Sequence, residues 1–355
     1  MKIFKHILPG MWVLLAVGCN DGIDPITRVE PGPDESAPAV TITYPDKGKI
    51  VIPFTQEKTD IDIKLDVTDD VEIKSITVSM DNADLVTYSS FVDYRRAIRS
   101  YAYSNLPIGH HALKITATDL SNKVTTKILD FEVSNLYEPK YAGEVMYIPF
   151  EGGVYTDLVS RTNAEVTGTP GFAEGKTGKA YAGATGAYLT FPTAAFTTGK
   201  EFSVTLWYKM NATPNRSGIL TVSAPDANPK PNNRTKGFRV LREESGGQIT
   251  KLNVGEGTAD PWSDPVKIPA TASGWVHLAF TISPTKFMIY VDGKLANEKP
   301  TTGVDWTDCD KLTIASGAPR FVEWDHWSDL SLYDEIRFFN KALTEDEVKA
   351  VMEDK

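Results

Sequence analysis

The sequence has 355 residues, of which 41% are hydrophobic and 24% are charged, a composition typical of globular proteins. At roughly 100 to 200 residues per domain, this length favours two folded domains. The formal net charge is -10, and lysine and arginine are spread among acidic residues rather than clustered. These features exclude a nucleic-acid-binding protein, because such a protein carries a basic face.

The first residues have the composition of a secretory signal peptide, predicted over residues 1–18. Lys2 and Lys5 make a basic start, and the apolar run at 7–17 is too short to span a membrane as a helix. Residues 16–19 resemble the lipobox of bacterial lipoproteins, although Ala16 stands where that motif usually has leucine. The resemblance implies lipidation of Cys19 by palmitate-type acyl chains. An ordinary cleavage site that leaves a free thiol is the alternative.

Residues 19–38 predict a flexible tether. They contain four prolines and several acids, a composition that cannot bury a core. The prolines are Pro25, Pro31, Pro33 and Pro38. We expect this segment to hold the first domain away from the membrane surface.

Residues 39–135 predict the first of two β-domains. Apolar and polar residues alternate at 61–67, 73–78, 112–117 and 128–133, the pattern of half-buried strands. About seven such strands in about 95 residues predict an immunoglobulin-like sandwich. The stretch 109–123 resembles a hairpin of bacterial Ig-like spacer domains. Arginines and aromatics at 91–103 are interpreted as an exposed strand, with a binding rim as the alternative.

Residues 141–355 predict a larger β-sandwich, so the fold class is all-β. Asp292 and Gly293 occupy the two turn positions of a predicted hairpin, and Thr344 with Glu347 forms a predicted capping box for a short helix. The motifs at 145–153, 175–181, 187–192, 202–209, 274–281, 287–294, 311–314 and 333–344 follow the order found in laminin G-type domains. The segment therefore resembles that family, and the resemblance implies a concanavalin A-like jelly roll.

The segment 323–328 bears on whether the protein is a glycoside hydrolase. It resembles the beginning of the active-site signature of laminarinase-type hydrolases. In that signature three acids alternate on one strand, but no second glutamate follows Glu323 and Asp325 at the required spacing. The two carboxyl groups needed about 5 Å apart for a retaining mechanism are therefore missing from this segment. The five histidines also form no metal-binding spacing. We predict a non-catalytic protein, with a hydrolase whose acids come from separate strands as the alternative.

Sugar binding requires flat apolar faces edged by polar groups. Four tryptophans and one acid lie outside the strands that alternation predicts, and they supply such faces and a polar edge. The predicted glycan-binding residues are therefore Trp262, Trp306, Trp324, Asp325 and Trp327. Each tryptophan has an alternative role, that of closing an end of the sandwich. Arg239 and Arg242 are interpreted either as polar edges of the same site or as ordinary sheet surface.

A structural calcium ion is implied by the family resemblance. In domains of this type Ca²⁺ ties the first strand to the last, and Glu151 and Asp334 match those positions. Glutamate replaces the commoner aspartate at the first position. Two carboxylates with backbone oxygens suit this hard cation.

The whole architecture resembles surface glycan-binding lipoproteins of polysaccharide-utilisation systems. The resemblance implies a lectin-like protein that is lipid-anchored in the outer membrane and faces the cell exterior. Its expected partners are an oligosaccharide or polysaccharide, the membrane, and an outer-membrane glycan transporter complex. An adhesin that binds a host protein is the remaining alternative.

Overall fold

The computed structural model describes residues 32–228, 230–271 and 273–354, and nearly all of its regular structure is β-sheet. The all-β prediction is therefore confirmed. The described residues divide into two compact units. Of the described residues, the first contains those from 32 to Ile50 and Asp60–Glu132, and the second contains Val51–Thr59 and those from Val133 onward. Within the described ranges, no helix is long and apolar enough to cross a membrane.

Eight strands lie before residue 135. They form a three-stranded sheet in the order β1-β3-β6 and a five-stranded sheet in the order β2-β8-β7-β4-β5. Alternation explains the strands, because Ile63, Leu65 and Val67 are buried while the residues between them face outward. The immunoglobulin-like assignment and the domain limits at 39–135 and 141–355 stay predictions. The strands are β1 (Ala39–Tyr44), β2 (Lys49–Val51), β3 (Lys58–Thr68), β4 (Ile73–Met80), β5 (Ala83–Tyr88), β6 (Arg96–Pro107), β7 (Gly109–Asp119) and β8 (Val124–Ser134).

The described residues of the rest of the chain form one short two-stranded pair and two large sheets. The strands are β9 (Glu144–Ile148), β10 (Thr156–Asp157), β11 (Thr162–Asn163), β12 (Glu165–Thr167), β13 (Gly171–Glu174), β14 (Lys179–Ala182), β15 (Tyr188–Pro192), β16 (Phe202–Lys209), β17 (Arg216–Val222), β18 (Phe238–Glu244), β19 (Gln248–Val254), β20 (Val266–Lys267), β21 (Trp275–Ile282), β22 (Lys286–Val291), β23 (Lys294–Pro300), β24 (Lys311–Ile314) and β25 (Leu332–Phe339). One helix, α1 (Glu345–Met352), follows them.

The two large sheets of the second unit share one hydrophobic core. One sheet has the order β12-β15-β24-β17-β18-β19-β20, and the other has the order β13-β14-β25-β16-β21-β22-β23 with β9 beside β25. Leu206 and Phe280 of the second sheet belong to the same buried cluster as Phe238 and Leu312 of the first. This sandwich of antiparallel sheets supports the loops that carry the candidate site.

Two local predictions are confirmed in this unit. Asp292 and Gly293 both have positive φ, at 47° and 74°, and join β22 to β23 as a tight hairpin. Thr344 caps α1 by accepting a hydrogen bond from the backbone N–H of Glu347, whose side chain accepts in return from the backbone of Thr344. Cys309 is buried as expected, and burial raises the pKa of its thiol to about 11.

Candidate functional site

The segment that carries Trp324 and Trp327 is a loop between β24 and β25, not a strand. Glu323–Asp325 form a single 3-10 turn in which Trp324 has a φ of 53°. The backbone N–H of Gly218 in β17 donates to the carbonyl of Trp327 at 3.0 Å, which fastens the loop to the seven-stranded sheet. The alternating arrangement of acids that a laminarinase-type site needs is therefore absent from this loop.

A buried carboxylate holds the base of this loop. Asp329 accepts hydrogen bonds from the hydroxyls of Tyr208 at 2.5 Å and Tyr333 at 2.7 Å. The guanidinium of Arg242 lies 3.4 Å from Asp329, and it also donates to the carbonyl of Pro214 at 2.6 Å. Because one side chain bonds both segments, the loop around Pro214 is tied to the loop that carries the tryptophans.

Arg239 and Arg242 are fully buried, so their interpretation as edges of a site or as sheet surface is wrong. Arg239 donates to the hydroxyl of Ser223 and to the amide oxygen of Asn253, both at 2.8 Å. Burial lowers the pKa of its guanidinium to about 9. Its side chain points away from the core toward the ring of Phe321, whose centroid is 5.5 Å away, so the covering loop encloses it.

A second buried pair involves His326, which the sequence did not single out for a role in binding. Its Nδ1 lies 2.9 Å from the carbonyl oxygen of Glu323, and its Nε2 lies 3.1 Å from a carboxylate oxygen of Glu243. The hydrogen bond from His326 lowers the pKa of Glu243 to about 2, and Lys251, at 3.0 Å from the other oxygen, acts in the same direction.

The first cleft is a cavity of about 920 Å³ beside this loop. Trp324 and Trp327 line it with 38% and 49% of their surfaces exposed, and Asp325 between them is also exposed. The remaining lining residues are Thr185, Gly186, Thr213, Pro214, Asn215, Arg216, Ser328 and Leu330. The cleft thus offers aromatic faces together with hydroxyl, amide and charged groups.

The second cleft, a cavity of about 320 Å³, is lined by Arg216, Glu243, Lys251, Trp262 and Trp324. The rings of Trp262 and Trp324 meet edge to face, with centroids 6.1 Å apart and planes at 63°. Trp324 and Arg216 line both clefts, so the two cavities share a wall.

Four of the five predicted binding residues are therefore brought together around Trp324. Trp306 is not among them and lines neither cleft. Its ring lies edge-on to Phe202 at 5.6 Å and to Phe238 at 6.1 Å, and its indole N–H donates to the carbonyl of Gly199 at 2.8 Å. Trp306 closes one end of the core, which was the alternative role for each tryptophan.

Comparison with known proteins supports the fold of this region. The family model for the concanavalin A-like lectin/glucanases superfamily matches residues 183–349. Residues 183–349 form a concanavalin A-like domain. No curated protein matches the chain.

Similar solved structures include domain 4 of a GH43 extracellular arabinanase from Geobacillus stearothermophilus, in complex with arabinotriose. It is 19% identical with a TM-score of 0.45, and the match covers 60% of this chain and 100% of that one. The binding domain of botulinum neurotoxin serotype C1 is 15% identical with a TM-score of 0.45, and its match covers 59% of this chain and 52% of that one. The chain thus spans about half the length of the toxin domain. These likenesses are weak.

The predicted calcium ligands lie next to one turn beside the concanavalin A-like domain. Glu151 accepts a hydrogen bond from the backbone N–H of Lys179, and Asp334 accepts one from the backbone N–H of Thr177, both at 3.0 Å. Asp334 is fully buried, and burial raises the pKa of its carboxyl to about 8. Among the described residues, no basic side chain lies within ion-pair distance of it, and no group of three or more metal-ligating side chains occurs. Two carboxylates supplemented by backbone oxygens nevertheless fit a hard cation.

Proposed function

We propose that the protein binds carbohydrate in the first and second clefts and does not cleave it. The exposure of Trp324 and Trp327 on one cavity carries this proposal. Large aromatic side chains are usually buried, and an exposed pair that lines a concave surface is typical of a binding site. Indole faces pack against the apolar faces of sugar rings, while Asp325 and Asn215 can bond to hydroxyl groups at the ring edges.

The acids near the clefts support binding without hydrolysis. Among the described residues that line the first cleft, Asp325 is the single acid. In the second cleft, Glu243 is the single acid, and both of its carboxylate oxygens are engaged by His326 and Lys251. A glycosidase needs two available carboxyl groups, one with a raised pKa so that it can donate a proton. The low pKa of Glu243 opposes that role.

The proposal includes a place for the protein on the cell. Cys19 lies outside the described residues, so its lipidation rests on the sequence of the lipobox. We propose an acyl anchor in the outer membrane, an outward orientation, and capture of a glycan for a neighbouring transporter. A Cys19→Ala variant that still incorporates labelled palmitate would contradict the anchor.

An array that carries both glycans and host matrix proteins tests the binding function. We expect signal on one or more glycans, and Trp327→Ala or Trp324→Ala should weaken that binding by roughly 1 to 3 kcal/mol through loss of stacking. Tyr94→Ala, at an exposed aromatic residue of the first unit, is the matched control and should bind as the unmodified chain does. Signal on proteins alone would favour the adhesin alternative, and new reducing ends after incubation with a glycan would favour the hydrolase.

We also propose that Glu151 and Asp334 hold a structural calcium ion. Burial of the Asp334 carboxyl, and the hydrogen bonds by which Glu151 and Asp334 hold the same turn, support this, because a bound cation would offset the loss of hydration. The ion would supply stability by fastening the turn at 175–179, and no chemical step depends on it.

A further inference from the structure

We infer that the second cleft binds an acidic sugar residue, with Arg216 as the group that recognises its negative charge. This inference rests on the proposed carbohydrate binding and narrows it to glycans that carry carboxylate or sulfate groups. It follows from the charges around Arg216, which forms no ion pair with an acid among the described residues.

Arg216 stands opposite an acid that is already engaged. It is the first residue of β17, and its register partner on β18 is Glu243, so the two side chains emerge on the same face of adjacent strands. One oxygen of Glu243 bonds to His326 and the other to Lys251. No acidic side chain among the described residues lies within ion-pair distance of Arg216.

The charges that surround the second cleft do not cancel. Arg216 and Lys251 are two cations, whereas Glu243 is one anion, which leaves one positive charge. The chain as a whole has a formal charge of -10, so the charge of this cleft is opposite in sign to the net charge of the protein. Nearby Arg234, whose guanidinium lies 5.4 Å from the ring centroid of Trp324, is already paired with Asp260 at 3.0 Å.

The shape of the cleft places this charge beside aromatic surface. Trp262 and Trp324 form a corner, and Arg216 lies at its rim where the first and second clefts meet. A planar guanidinium binds a carboxylate or a sulfate through two parallel hydrogen bonds. A sugar ring stacked in the corner would present such a substituent to Arg216, while the next ring of the chain would occupy the first cleft.

The two clefts differ in charge, which gives the bound chain a direction. In the first cleft the negative charge of Asp325 offsets the positive charge of Arg216, so that cleft suits a neutral ring that donates its hydroxyl protons. The acidic ring belongs to the second cleft, where Asp325 is not a lining residue. The best ligand is therefore an oligosaccharide that carries an acidic residue next to a neutral one.

The test is an array of acidic polysaccharides, each beside its neutralised form, probed with the full mature chain. Polygalacturonate, alginate and chondroitin stand beside carboxyl-reduced or methyl-esterified forms, and sulfated galactans stand beside desulfated ones. We expect at least one acidic glycan to bind ten-fold or more tightly than its neutral partner. The pair that shows the difference identifies the anion as carboxylate or sulfate, and raising the salt concentration should weaken binding of the acidic form.

Arg216→Gln should abolish the preference, so that the acidic and neutral forms bind within about two-fold of each other. Arg216→Lys should retain part of it because the positive charge remains. Both variants should melt as the unmodified chain does, since Arg216 forms no ion pair within the part of the chain that the structure describes. Arg99→Gln on the first unit is the matched control. Binding to neutral glycans alone, or a preference that survives Arg216→Gln, overturns the inference and leaves the proposed function intact. Failure to bind any glycan overturns both.

Discussion

The pair formed by Glu243 and His326 predicts a specific dependence of stability on pH. The pKa of Glu243 falls from its ordinary 4.5 to about 2 in the folded protein, chiefly because of the hydrogen bond from His326. A carboxyl with a lowered pKa stabilises the fold above its ordinary pKa, and that contribution is lost as pH falls from 4.5 through 2. At about 1.36 kcal/mol for each tenfold change in proton affinity, this lowering of the pKa corresponds to about 3 kcal/mol. The Glu243 side chain is only 13% exposed, so solvent screening reduces this figure little.

The assay compares the unmodified chain with Glu243→Gln by urea unfolding at a series of pH values. Tryptophan fluorescence reports the second unit, because every tryptophan among the described residues lies there. We expect the variant to be less stable by about 2 to 3 kcal/mol at pH 7 and the gap to close toward pH 2. The control Glu298→Gln breaks an exposed pair with Lys286 and should cost less than about 1 kcal/mol. If Glu243→Gln is as stable as the unmodified chain at pH 7, the reasoning is refuted. It is also refuted if the difference in unfolding free energy between the two stays constant between pH 7 and 2.5.

Two further predictions concern the buried carboxylates Asp329 and Asp334. Asp329→Asn leaves Arg242 buried beside a neutral amide, so urea unfolding followed by tryptophan fluorescence should show a loss of about 3 to 5 kcal/mol; a loss below about 1 kcal/mol would contradict the role given to this pair. If Asp334 holds calcium, Ca²⁺ should raise the melting temperature of the unmodified chain relative to a chelator, and Asp334→Asn should remove that difference. An equal rise in the variant, or no rise in the unmodified chain, counts against the calcium site.

Features set by neighbouring residues could be predicted from the sequence. The hairpin at Asp292 and Gly293 and the cap at Thr344 depend on contacts within a few positions, so the residue types specify the geometry directly. Trp324 and Trp327 were recognised because they lie outside strand alternation, and the structure places both on one cleft.

Features set by distant contacts could not be predicted in this way. Arg239 alternates with the core residues Phe238 and Val240, which predicts an exposed position on the sheet, but Phe321 from later in the chain covers it. Arg242 is buried beside Asp329, which also lies far along the chain. Trp306 has the same local signature as the cleft tryptophans, and only its neighbours in space assign it to the core. The importance of Arg216 depends on the register of β17 against β18 and on what engages Glu243, neither of which appears in the local sequence.

The link between Asp329 and Arg242 affects the kinetics of recognition. It joins the two segments that flank the first cleft through a fully buried contact, so the cleft has its shape before any ligand arrives. A preorganised surface loses little conformational entropy when it binds. Association should then proceed at the ordinary rate for an unhindered encounter, and related glycans should differ mainly in how long they stay bound.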